Sequence, residues 1–221
     1  LKNQVSATAN FFKKKGIKSG DRIAAYLPNI PETIIMMLAS SSIGAIFSSA
    51  SPDFGVEGVY DRFGQIEPKV LITTDGYNFN GKEINITQKV EEVVNLLPSI
   101  DNIIIVPLLN SNERYLSNKV ILYETLLKKY ETKILEFQKF ELDHPLYIMF
   151  SSGTTGKPKC IVHSAGGVLL KHLVEVGLHS NACENKNIFY FTTCGWMMWN
   201  WLVSSLSIGA TIVLYDGNPF Y

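Results

Sequence analysis

The sequence predicts an α/β fold, with mostly parallel β-sheets and helices on both faces. Three observations predict it. Short β-branched runs alternate with amphipathic stretches along the chain. Several of those runs are apolar at successive positions, as strands covered on both faces are. Two long uncharged runs also pass through the same tripeptide, Ile43-Gly44-Ala45 and Ile208-Gly209-Ala210, from a helical period into a short strand-like segment. A helix stopped by glycine and followed by an apolar strand is half of a βαβ unit.

Taken in order, Ala7 to Lys15 reads as an amphipathic helix ended by Gly16, and its Lys13-Lys14-Lys15 terminus suits the helix dipole better than it suits a nucleic acid. Ser19-Gly20-Asp21 turns into a strand at Arg22 to Leu27, closed by Pro28. Pro31-Glu32-Thr33 opens a helix, with proline in its first turn and glutamate where the dipole favours negative charge. Ile46-Phe47, Lys69 to Thr73, Asn102 to Val106, Tyr147 to Phe150, Cys160 to His163, Ile188 to Phe191 and Thr211 to Tyr215 are further strands. Helices are predicted at Gly58 to Ile66, Thr87 to Leu97, Tyr123 to Tyr130 and Gly166 to Val176. The polar stretch from Leu108 to Glu141 reads as surface helix and loop.

Composition excludes several classes of function. Twenty basic and twenty acidic residues cancel, so no global field draws the protein to nucleic acid or anionic lipid, and a small partner is expected. Thr33 to Ser51 and Asn187 to Tyr215 are long enough to suggest membrane spans, but their many serines and threonines and their change of period argue against it. Three cysteines, Cys160, Cys183 and Cys194, are odd in number and lack CxxC spacing, which disfavours a disulfide framework or a zinc site and favours a reducing, cytosolic compartment. Cys194 reads as a small buried thiol. The chain opens at Leu1 with no methionine and no signal-peptide apolar region, as the interior of a longer gene product does.

The most telling segment is Ser151-Ser152-Gly153-Thr154-Thr155-Gly156-Lys157-Pro158-Lys159, which packs two glycines, four hydroxyls and two lysines into nine residues after an apolar run. Glycines let backbone N–H groups close on an anion, hydroxyls add donors, and lysines place positive charge against a polyphosphate. The spacing differs from a Walker A loop, since only Thr154 and Thr155 separate the glycines and Pro158 follows Lys157. A plain hairpin turn between two strands explains the glycines but not the excess of hydroxyls and lysines. A second segment, Trp196-Met197-Met198-Trp199-Asn200-Trp201, concentrates large adaptable side chains and reads either as core or as the wall of a pocket.

The first of these segments, continued by Cys160-Ile161-Val162-His163, resembles the phosphate-binding motif of the adenylate-forming enzymes, a family that includes acyl-CoA synthetases, luciferases and peptide-synthetase adenylation domains. Gly20 to Glu32, Ile43 to Ser49 and Pro68 to Thr73 are similar to the early segments of its acetyl-CoA synthetase branch, in the same order. Gly195-Trp196 matches a Gly-Trp pair of that branch. Two positions depart from the pattern: Cys160 stands where glycine is usual, and Asn218-Pro219-Phe220 replaces a Val-Pro-Asn type turn.

The resemblance implies that residues 1–221 are part of the large N-terminal AMP-binding domain, without the mobile C-terminal domain. It implies ATP and CoA as substrates with Mg²⁺ beside the phosphates. The strings Cys194 to Trp201 and Leu214 to Tyr221 imply acetoacetate as the acid. Ser151, Ser152, Gly153, Thr154, Thr155, Gly156, Lys157 and Lys159 would hold phosphate; Gly195, Trp196, Met197 and Met198 would line the acyl and CoA side; Lys82 would lie near the CoA phosphate. The family's magnesium-binding Thr-Glu segment, ribose aspartate and adenylation lysine have no counterpart up to Tyr221, so no complete catalytic set and no metal ligand is expected here. Another short carboxylate as substrate, or a nucleotide-binding remnant without chemistry, are the alternatives. His144, His163, His172 and His179 lack catalytic partner spacing and read as structural, His163 being the best exception because it ends the strand that leaves the loop.

Overall fold

The computed structural model describes residues 1–109, 118–132, 134–151 and 156–220. In chain order the elements are α1 (Lys2–Lys14), β1 (Arg22–Tyr26), α2 (Pro31–Ser42), β2 (Ile46–Ala50), α3 (Val56–Ile66), β3 (Val70–Thr74), β4 (Gly76–Phe79), β5 (Lys82–Asn85), α4 (Thr87–Leu96), β6 (Asn102–Val106), β7 (Val120–Leu122), α5 (Tyr123–Lys129), β8 (Pro145–Phe150), β9 (Cys160–Ser164), α6 (Ala165–Leu173), β10 (Asn187–Phe189), α7 (Met197–Ser204) and β11 (Thr211–Val213). A π-helical stretch, Val174–His179, prolongs α6, and a single tight turn, Ser205–Ile208, follows α7.

Seven strands form the main sheet in the order β7-β6-β3-β1-β2-β8-β9. All neighbouring pairs are parallel except β8 and β9, which are joined as an antiparallel hairpin. Period-two alternation sorts the central strands between two cores. Ile23, Ala25, Ile72 and Ile104 point to one face, where Phe11 and Phe12 of α1, Ile35 and Met36 of α2 and Leu126 of α5 cover them. Ala24, Leu71, Ile103 and Ile105 point to the other, under Val59 and Phe63 of α3 and Val90 and Val93 of α4. The predicted fold class is thus the observed one.

The glycine junctions behave as expected. Gly44 and Gly209 both take left-handed backbone (φ 72° and 77°) where a helix ends and a strand begins. At Gly44 the side chain of Phe140 fills the space that a Cβ would need, so two independent reasons exclude other residues there.

Two departures from expectation have physical causes. The 108–141 stretch is not only surface: β7 pairs with β6, Ser6 Oγ donates to the Ile134 carbonyl (2.8 Å), and Phe140 packs over Gly44. The helix predicted from Tyr123 is present as α5, but the short run Val120 to Leu122 before it and the isolated Ile134 and Phe140 find their partners far away in the chain, which a local pattern does not show. The β4–β5 hairpin was also missed, although Asn80-Gly81, with φ of 51° and 66°, is the dipeptide that a tight hairpin turn favours.

Candidate functional site

The parallel strands bring their C-terminal ends to one side of the sheet, and Ser151 after β8 and Gly195, against Ser51 after β2, both lie on that side. The chain leaves β1 through α2 on one face and leaves β2 through α3 on the other, so the two connections diverge. Such a divergence opens a crevice beyond the strand ends, the usual ligand position in open α/β sheets. Pro28 and Asn29 follow β1 here, Ser51, Pro52 and Asp53 follow β2, and Ser151 follows β8.

The candidate phosphate loop is the connection of the β8–β9 hairpin. Its base is closed by Ser151 N–H to the Lys159 carbonyl (3.0 Å) and Lys159 N–H to Ser151 Oγ (3.0 Å). Gly156 has a φ of 96°, which an L side chain rarely adopts. Ser152, Gly153, Thr154 and Thr155 lie outside the described residues. Of the two lysines, Lys157 pairs through Nζ with Asp61 Oδ1 of α3 (3.2 Å), whereas Lys159 forms no salt bridge among the described residues.

Beyond the C-terminal ends of β1 and β2 a cavity of about 250 Å³ is bounded by Asn29 and Asp53 from the segments that follow these strands, Tyr77 and Phe79 from β4, Thr193 before Gly195, and Asp216 after β11. β10 and β11 form a small parallel sheet of their own whose C-terminal ends also open here. Side-chain bonds lock the layers together. Trp199 Nε1 donates to Asn29 Oδ1 (2.9 Å), Ser49 Oγ to the Cys194 carbonyl (2.6 Å), and Tyr26 OH to the Phe54 carbonyl (2.6 Å). Crowding by the protein and the charge of Asp53 push the Asp216 carboxyl up to about 6, even though Asp216 keeps an accessible face toward the cavity.

The tryptophan–methionine segment divides between two roles that composition cannot separate. Trp199 is fully buried and stacks on Phe47 (centroids 6.2 Å apart), so it belongs to the core. Trp196 caps the start of α7 with 63% of its surface exposed, and Met197 and Met198 are half-buried. Gly195 lies against Ser51 and Phe54 with room for a Cβ at ordinary contact, so no strain dictates glycine there. Lys82 sits directly across the hairpin from Phe79, on the face that meets the cavity, and is exposed. The cavity residues Asp53 and Tyr77 lie in no segment that the sequence singles out, and Asp216 lies in the Leu214 to Tyr221 string without standing out there; only the Asn80-Gly81 turn hints at the hairpin that delivers Tyr77 and Phe79.

Of the four histidines, three are held by the fold and His179, the last residue of the π-helical stretch, is exposed. His144 Nε2 meets the Gly44 carbonyl (3.0 Å), His163 packs on Tyr147, and His172, buried under α7, is hydrogen-bonded through Nδ1 to Ser204 Oγ. Burial pushes His163 and His172 below the usual imidazole range. Cys194 is buried with its thiol toward the Pro28 carbonyl (3.2 Å) and its pKa raised by burial, whereas Cys160 and Cys183 are exposed and free. No group of three or more His, Cys, Asp or Glu side chains among the described residues is placed to hold a metal ion, and no described helix is long and apolar enough to cross a membrane.

Residues 1–221 match the family model described as AMP-binding enzyme. The chain belongs to the AMP-binding enzyme family. It is 50% identical over 229 aligned positions to acetoacetyl-coenzyme A synthetase of Rhizobium meliloti (strain 1021), covering 100% of this chain and 34% of that protein. To acetoacetyl-CoA synthetase of Gallus gallus it is 48% identical over 225 positions, covering 99% and 34%. Among solved structures, acetoacetyl-CoA synthetase from Streptomyces lividans superposes with a TM-score of 0.93 at 42% identity, covering 98% of this chain and 33% of that one. This AMP-binding chain therefore spans about a third of the length of the curated relatives it matches.

Proposed function

We propose that this chain is part of the N-terminal adenylation domain of an acid–thiol ligase that joins acetoacetate to CoA at the expense of ATP. The observation that carries the reading is that the hydroxyl- and lysine-rich segment begins at Ser151, after β8, and Gly195 lies against Ser51, after the neighbouring parallel strand β2, in a chain alike over its whole length to acetoacetyl-CoA synthetases. In the first step a carboxylate oxygen attacks the α-phosphorus of ATP, an acyl–AMP bond forms, and pyrophosphate leaves. In the second the CoA thiol attacks the acyl carbon, loses its proton, and expels AMP.

Ser151, Ser152, Gly153, Thr154, Thr155, Gly156 and Lys159 are assigned to the β- and γ-phosphates. Donors placed there matter most as charge grows on departing pyrophosphate. Trp196, with Gly195, Met197 and Met198, is assigned to the acyl side. The cavity between Thr193 and the β4–β5 hairpin is assigned to CoA, with Lys82 near its phosphate, because the register sets Lys82 beside a wall residue of that cavity. The described residues offer Mg²⁺ no all-protein site; the ion is assigned to the polyphosphate it accompanies. Its exposed free cysteines suit a reducing compartment, and the cytosol is the proposed location.

The test is the full-length protein supplied with acetoacetate, ATP, Mg²⁺ and CoA. Acetoacetyl-CoA, AMP and pyrophosphate are the expected products. Formation of ADP, or no thioester from acetoacetate or any other short carboxylate, would defeat the reading. Lys159→Ala is expected to slow pyrophosphate release by about tenfold to a hundredfold, the worth of one charge-assisted contact.

A further inference from the structure

One face of α3 holds both limbs of the β8–β9 connection. Gly58, Asp61, Arg62 and Gln65 share that face, at the three- and four-residue spacings of neighbours on a helix. On the incoming limb, the Arg62 guanidinium lies 4.6 Å from the Phe54 ring centroid and 6.0 Å from that of Phe150, the last residue of β8. Arg62 Nη1 is itself fixed by the Gly58 carbonyl (2.7 Å). On the outgoing limb, Asp61 pairs with Lys157, and Gln65 Nε2 donates to the Pro158 carbonyl (2.8 Å). The same amide donates to the Asp61 carbonyl of its own helix, which orients it toward the loop. Gln65 Oε1 accepts from the Cys160 thiol (3.6 Å), a contact that the glycine usual at this position has no side chain to make.

Resting on the reading of the loop as a phosphate site, we propose that this face of α3 is the loop's anchor. Asp61 and Gln65 are its positioning residues, and Lys157 is the tether by which α3 holds the loop, not a ligand of phosphate. Charge supports the division. A phosphate brought to the Lys157 amine would meet the Asp61 carboxylate at the same point, whereas Lys159 carries its charge without an acidic partner among the described residues. The loop then has one lysine for place and one for ligand. The contacts are exposed, so the anchor governs where the loop stands more than how stable the fold is.

A charge swap in the full-length protein tests this. Lys157→Asp and Asp61→Lys, each alone, are expected to raise KM for ATP in pyrophosphate release, by no more than about tenfold, the ceiling for exposed ion pairs and neutral hydrogen bonds. The double variant Asp61→Lys/Lys157→Asp restores the pair in reverse and is expected to return KM to within about twofold of the parent, since a tether works in either polarity. Gln65→Met keeps the side chain's length without its donor and is expected to raise KM while leaving the thermal midpoint unchanged. Tryptic cleavage of the Lys159–Cys160 bond reads loop placement without ATP: it should be faster in Gln65→Met and in each single charge variant, and slow again in the swap. A swap as impaired as Lys157→Asp would make Lys157 a phosphate ligand and overturn the tether. Unchanged KM and cleavage in Gln65→Met, with Lys159→Ala still defective, would overturn the anchor and leave the phosphate loop standing; an active Lys159→Ala would remove both.

Discussion

Replacing each of two tryptophans three residues apart by phenylalanine should have opposite consequences. Trp199 is fully buried, stacks on Phe47 and donates its N–H to Asn29, which is itself 5% exposed. Trp199→Phe removes a donor and leaves the Asn29 oxygen short of a partner in a buried place, a cost of about 1–3 kcal/mol. The smaller ring also leaves a void of roughly 40 Å³, worth about 1 kcal/mol at the cavity coefficient for core truncations. The sum, about 2–4 kcal/mol, corresponds to a fall in Tm of about 5–15 °C for a chain of this size. Trp196, 63% exposed, has no comparable packing, and Trp196→Phe should stay within about 0.5 kcal/mol. Adding Asn29→Ala to Trp199→Phe should cost less than the two changes summed, because the stranded amide disappears. The assay is thermal unfolding of the 221-residue chain by circular dichroism. Equal losses for Trp196 and Trp199 would show that both rings belong to one core and would refute the assignment of Trp196 to substrate. The functional counterpart is Trp196→Gly in the full-length protein, expected to shift preference toward longer carboxylates by about 1–3 kcal/mol, the usual worth of methylenes in an apolar pocket.

The raised pKa of Asp216 means that the folded chain holds this proton more tightly than the unfolded one, so its contribution to stability is present below about pH 3.8 and is lost as pH rises through about 6. Asp216→Asn should therefore flatten the loss of Tm between those values, and an unaltered profile would count against a carboxyl crowded by Asp53. His172 has the opposite sign: burial depresses it, so its contribution is present above its usual 6.5 and is lost as pH falls through the lowered value. His172→Gln should lessen destabilisation by acid, as read by Tm below pH 6.5. Ellman's reagent should label two of the three thiols in the native chain, Cys160 and Cys183, and Cys194 only on unfolding; prompt native labelling of all three would contradict the burial of Cys194.

Local patterns were enough to reveal the fold class, the helix–glycine–strand junctions and the polarity of the loop after β8. Each of these is encoded within a few neighbouring residues: a period of two or 3.6, a glycine that must take left-handed backbone, a run of donors after an apolar strand. What depended on distant partners was not legible. Trp196 and Trp199 are chemically identical and nearly adjacent, and only the placement of Phe47 and Asn29, some 150 residues and more away in the chain, makes one of them core. Lys157 and Lys159 look equivalent in the motif, and only the docking of α3 sets Asp61 against the first. The cavity itself is assembled from the ends of β1, β2, β4, β10 and β11, and no one stretch of sequence shows that these ends come together, because a crevice at the ends of strands is a property of how they are ordered and not of any one of them.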